Sequence, residues 1–221
     1  MKSMTKMWLR ARLSALGLLN DCRGIAATEF AVIVPIMLLV FFGTVEVQSG
    51  VATNRKVTLI ARTLSDLTAQ ASPPAASPNS PYAQVDDSYL QNIFTAGIAL
   101  ITPYPQTPLK VQLSEIYVDS NLVAKIQWSK AATIGAGATQ ATLTTSTRSA
   151  GDTITIPPAL LVRQTYLTFG EVSYLYTPVG IGYVMKSNVT LSDVSYTRPR
   201  LVVCIVYNNQ PALVSGQCPA T

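Results

Sequence analysis

The sequence predicts an α+β protein carried on one membrane-spanning helix. Three observations predict it: an apolar run near the N-terminus, a helical periodicity that continues past that run, and strand-like segments separated by turn residues in the second half. Charged residues make up 12% of the 221, about half the share of a soluble protein. The mean hydropathy is positive, at +0.30. Part of the chain is therefore built for lipid.

The apolar run spans residues 25–45, IAATEFAVIVPIMLLVFFGTV, with Glu29 as its one charge. As a helix it is roughly 31 Å long, the thickness of a bilayer's hydrocarbon core. The Phe, Val, Ile and Leu residues from Phe30 to Val45 favour insertion by roughly 3 to 7 kcal/mol, enough to offset one carboxylate near the end. Pro35 is tolerated in such a helix because local rearrangement re-satisfies the backbone. A buried soluble helix would show a polar face, and this run has none. A cleaved secretory signal would have a shorter apolar core ending at a small-residue site. Cys22 does not make a lipoprotein signal either, because the apolar run follows the cysteine.

Residues 1–24 form a basic leader: Lys2, Lys6, Arg10, Arg12 and Arg23 stand against Asp21 alone. Only Arg55, Lys56 and Arg62 follow the span within twenty residues. The positive-inside rule then puts the leader in the cytoplasm and the rest of the chain across the membrane. Most of the net charge of +5 sits in the leader, so the remainder is almost neutral and offers no basic surface for nucleic acid. The chain has no histidine, which excludes a Ser-His-Asp or histidine-metal enzyme. No G-x-S-x-G motif or paired carboxylates suggest a hydrolase of another kind. No catalytic residue, metal, cofactor or small-molecule substrate is assigned.

At the membrane boundary stands Arg23-Gly24-Ile25-Ala26-Ala27-Thr28-Glu29-Phe30. An intramembrane carboxylate costs free energy and asks for a cationic partner. The bland alternative is that Gly24 ends a leader helix and Glu29 snorkels to the interface. The octapeptide resembles the type IV prepilin processing signal. In that family a membrane aspartyl peptidase cuts after the glycine, here between Gly24 and Ile25. The glutamate becomes the fifth residue of the mature chain, and the new N-terminus is commonly methylated. Glycine suits a site where extended backbone must approach catalytic carboxylates closely. The resemblance implies that Glu29 pairs with the freed α-amino group of a neighbouring subunit.

The longer stretch RGIAATEFAVIVPIMLLVFFGTVEV resembles the opening of the TadE-like (TadE/TadG) pseudopilins of the tight-adherence, or Flp, type IV pilus system. Glu171-Val-Ser-Tyr174-Leu-Tyr176-Thr-Pro178 is similar to that family's Tyr-x-Tyr-x-Pro strand, and Thr197-Arg198-Pro199-Arg200 to its Arg-Pro-Arg element. Residues 70–160 match no family pattern. The resemblance implies a pilin-like domain with an antiparallel sheet and a minor-pilin role. It also implies as partners a prepilin peptidase, other minor pilins, the major pilin and an inner-membrane assembly platform.

Beyond the span, Val47, Val51, Val57, Ile60, Leu64 and Leu67 continue the helix over 46–69, facing either a sheet or neighbouring subunits, with core packing favoured near Leu64. Residues 70–84 read as a Pro/Ser-rich linker, and 85–221 as the exported α+β domain. Asp86-Asp87-Ser88 offers N-cap residues for a helix through Ile101, stopped by Pro103. LKVQLSEIYVD and NLVAKIQWSK flank a turn at Asp119-Ser120-Asn121 and predict an antiparallel hairpin. Further strands are expected at 166–176, 189–196 and 201–207, and a solvated loop at 138–150. Cys204 and Cys218 would lie in an oxidising compartment, and we expect a disulfide between them. The competing reading of the whole chain is a single-pass envelope anchor or sensor, in which Gly24 is uncut and Glu29 is replaceable by an apolar residue.

Overall fold

A computed structural model describes residues 24–178, 188–207 and 218; the leader, including Cys22, lies outside the described residues. The chain divides into two compact units, the first ending at Val47 and the second starting at Gln48. One helix, α1 (Gly24–Ala69), contributes to both.

Within the second unit, α1 buries Thr53, Val57, Ile60, Ala61, Leu64, Ser65, Thr68 and Ala69. The expected apolar stripe thus reaches the core from Val57 onward, whereas Val51 stays 48% exposed. Helix α2 (Asp87–Ala99) starts as expected at Asp86, whose carboxylate accepts the Tyr89 backbone N–H at 2.8 Å. That bond, the largest influence, and the Ser88 hydroxyl hold the Asp86 carboxyl below its ordinary range. At its other end, Lys56 Nζ donates to the carbonyls of Leu100 at 2.9 Å and Thr102 at 2.5 Å. A cation on orphan carbonyls is the expected complement to a helix C-terminus. The two helices come close at Gly97, where a Cβ would lie 2.5 Å from Leu64 Cδ2.

The chain then forms β1 (Tyr82–Val85), β2 (Leu109–Val118), β3 (Ala124–Thr133), β4 (Thr142–Thr144), β5 (Thr165–Tyr176), β6 (Val189–Thr197) and β7 (Cys204–Tyr207). Five of these make one antiparallel sheet in the order β4-β3-β2-β5-β6. The hairpin turn is set by Asp119, whose carboxylate accepts the N–H groups of Asn121 and Val123 at 2.8 and 2.9 Å. One face of the sheet packs on α1 and α2 through Leu109, Val111, Leu113, Val172, Tyr174 and Phe94. A smaller cluster of Ile116, Ile126, Ile156, Leu167 and Phe169 packs on the opposite face of the sheet.

Two local readings are corrected. The last residues read as linker are strand β1, which pairs in parallel with β7 as a separate two-stranded ribbon. Nothing local marks β1, because its partner lies more than a hundred residues later. The 138–150 stretch is not a plain solvated loop: it contains β4 and lies on the sheet. There Arg148 makes a two-pronged ion pair with Glu171, both contacts 2.6 Å, and the Thr147 N–H donates to Gln112 at 3.1 Å. Among the described residues no buried side-chain donor or acceptor lacks a partner.

Candidate membrane anchor and processing site

Residues 24–47 are helical throughout, with Pro35 inside the helix. In a water-soluble unit such a sequence would bury its apolar residues. Here the large side chains are open round the helix, from Val45 at 45% to Leu39 at 74% exposed, with only Val34 half-buried among them. The most apolar 18-residue stretch of α1 has a mean hydropathy of 2.4 and none of it is buried. A helix apolar all round and unburied in its own chain is what a lipid environment selects. The segment fits a single-pass membrane anchor.

Gly24 and Ile25 stand at the start of this helix, both exposed. A Cβ built on Gly24 would meet nothing within 4 Å, so no contact in the fold requires glycine there. Thr28 Oγ1 donates to the Ile25 carbonyl at 2.8 Å. Glu29 is exposed one helical turn after Ile25, on the same face.

The two later sequence elements have structural positions. Tyr174 and Tyr176 are buried on β5, and Tyr176 Cε1 lies 3.8 Å from where a Gly50 Cβ would stand. Arg200 pairs with Asp66, and its backbone N–H donates to the Ala69 carbonyl at 2.9 Å. The Tyr-x-Tyr and Arg-Pro-Arg elements therefore hold opposite ends of the 48–69 part of α1. They are packing and capping devices, and no ligand contact is assigned to them.

Cys204, fully buried on β7, is joined to Cys218, with Cα atoms 5.9 Å apart. The closed loop has a sequence separation of 14, for which the chain-entropy account gives about 3 kcal/mol. Cys204→Ser is expected to remove about that much stability. Thermal melting of the solubilised protein, oxidised against variant, checks it, and equal melting temperatures would refute it.

The residue that sequence reading missed is Glu115. It is 0% exposed on β2, where Thr168 Oγ1 donates to Oε2 at 3.0 Å and the Ile205 N–H donates to Oε1 at 3.3 Å. Burial pushes its carboxyl up to about 8 against the weaker opposing effect of those two bonds. No local signal marks it, because its strand is buried on both faces.

Residues 24–63 match the family model described as TadE-like protein. No curated protein and no solved structure matches the chain. The match covers the exposed apolar helix and runs sixteen residues beyond Val47 into its buried continuation. The similarity to the TadE-like family is thus confined to residues 24–63, the part of the chain that carries the membrane-type helix.

Proposed function

We propose that the chain is a minor pseudopilin that acts in assembly of a tight-adherence pilus from a bacterial inner membrane. In this reading the basic leader 1–24 is cytoplasmic, residues 25–45 span the membrane, and the 46–69 extension and the domain that follows are periplasmic. A prepilin peptidase cuts between Gly24 and Ile25, and the freed amino group of one subunit pairs with Glu29 of another. The role is structural: the subunit works through the peptidase, other minor pilins, the major pilin and the inner-membrane platform, and no catalytic step is assigned to its own residues.

The observation that carries the reading is the TadE-like match that begins at Gly24 on a helix whose apolar part is exposed all round. An intramembrane carboxylate five positions into that segment supports it, because such a group calls for a cation and cleavage would create one. The absence of histidine from the sequence agrees with a role without acid-base chemistry.

The test is the N-terminal sequence and intact mass of the membrane-extracted protein, from cells with and without the prepilin peptidase. A mature chain beginning at Ile25, found only with the peptidase, is expected. An intact leader in both strains would leave the chain as a membrane-anchored protein outside the pilin pathway.

A further inference from the structure

The β1–β7 ribbon packs Ala83, Val85 and Ile205 into the main core, and the free backbone edge of β7 is met by two side chains of the large sheet rather than by a neighbouring strand. Glu115 and Trp128 are cross-strand partners on β2 and β3. Glu115 Oε1 accepts the Ile205 N–H at 3.3 Å, and Trp128 Nε1 donates to the Ile205 carbonyl at 2.8 Å. A strand exposes both polar groups of one residue along one edge, so this pair meets β7 as a third strand of the ribbon would. The other edge of β7 is taken by β1. Beneath the ribbon, Cys204 and Val206 pack on Tyr117 and Tyr166, beside Cys218. Farther along, the Tyr207 hydroxyl donates to Asp87 at 2.6 Å, and Lys130 lies over the Tyr207 ring.

The groups facing Glu115 are Thr168 and Tyr166 from β5, Trp128 from β3, Tyr117 on its own strand, and Ile205 and the disulfide-bonded Cys204 from β7. Among the described residues no lysine or arginine pairs with it. A neutral carboxyl suits this site: one of its oxygens accepts the Ile205 N–H and the other accepts the Thr168 hydroxyl. A carboxylate there would be a buried charge without a counter-ion, which is costly.

We propose that Glu115 and Trp128 form a proton-controlled latch that docks the β1–β7 ribbon on the sheet, and that ionisation of Glu115 releases it. The sign follows from the carboxyl being raised to about 8 when docked, above its ordinary value in water. The latch holds fully below the ordinary carboxyl range, and docking weakens by up to about tenfold per pH unit as pH rises from there to about 8. Above that the contribution is gone. Release uncovers Tyr117 and Tyr166 and frees the backbone edge of β7. The inference is independent of whether Gly24 is cleaved.

Trp128 is itself the reporter, since the only other tryptophan is Trp8 in the leader. The full-length Trp8→Phe protein in nanodiscs is titrated from about pH 4 to 9.5 by tryptophan emission, with hydrogen exchange measured in parallel. A red shift that begins above the ordinary carboxyl range and is complete by about pH 8 is expected, with protection lost in 82–85 and 204–207 but retained in 109–118. Adding Glu115→Gln, which imitates the neutral carboxyl, abolishes the transition. Should that variant fail to fold, Thr168→Val serves instead: the docked neutral carboxyl loses a hydrogen-bond partner, so release moves to lower pH. Absence of a transition, an unchanged transition in Glu115→Gln, an unmoved midpoint in Thr168→Val, or loss of protection throughout the domain each overturns the latch.

Discussion

Gly170→Val is expected to lower the melting temperature of the solubilised protein by roughly 5 °C. Gly170 lies in the middle of β5, opposite Leu113 on one side and Ser195 on the other. A Cβ there would stand 2.9 Å from the Ala61 carbonyl oxygen and 3.4 Å from Ser65 Cβ. Two effects oppose each other. Replacing a strand glycine reduces the freedom of the unfolded chain and stabilises by roughly 0.5 to 1 kcal/mol. Forcing side-chain atoms against helix backbone costs about 1 to 3 kcal/mol or more, and here the obstacle is the carbonyl of Ala61, which is fully buried on α1. The clash wins, and it also strains the hydrogen bonds of Ser65 with Ser195 at 2.8 Å and Thr197 at 3.1 Å. Gly97→Ala is the comparison: its nearest obstacle is the tip of the Leu64 side chain, which can turn aside, so a smaller loss is expected. Equal melting of Gly170→Val and the unsubstituted protein would show that α1 does not rest on β5 as described.

The elements that were legible in the sequence are those whose determinants are local. The anchor is written in a continuous apolar run, α2 in the Asp86 cap and the Pro103 stop, and β2, β3, β5 and β6 in β-branched segments with turn residues between them. The structure ends α2 at Ala99 rather than Ile101 and starts the last strand at Cys204 rather than Leu201, shifts of a few residues at frayed ends. What stayed hidden depends on partners far along the chain. Strand β1 exists because β7 lies beside it, and Arg148 draws its loop onto the sheet because Glu171 waits there. Glu115 was hidden for a related reason. A lone carboxylate reads as solvent-facing by residue type, but Glu115 takes the inward position of Leu109, Val111 and Leu113 on β2, and the distant ribbon covers it there. The membrane-boundary residues were legible as a motif because Gly24, Ile25 and Glu29 stand within six positions of one another.

Gly24→Leu is expected to leave full-length precursor as the only membrane-bound species, an all-or-none effect on processing. The physical argument rests on what each environment asks of residue 24. In the folded chain the position is open, with nothing within 4 Å of a built Cβ, so leucine does not disturb the helix. In a peptidase cleft the backbone must lie extended against the catalytic groups, and a branched side chain prevents that approach. A block on cleavage therefore cannot be attributed to misfolding, and thermal melting of the domain that follows the anchor should be unchanged in the same preparation. Intact mass on membranes from cells carrying the prepilin peptidase decides between the outcomes, and efficient processing of Gly24→Leu would refute the assignment. Glu29→Gln separates the second half of the proposal from the first. It keeps the shape and removes the charge, so cleavage should proceed as before. A neighbouring subunit's α-amino group would then lose its counter-charge inside the membrane, where breaking such a pair costs about 3 to 5 kcal/mol. Association with other pilus components, read by crosslinking in the membrane, is expected to fall by two orders of magnitude or more. Unchanged crosslinking would mean that Glu29 serves the anchor's position in the bilayer and not the contact between subunits.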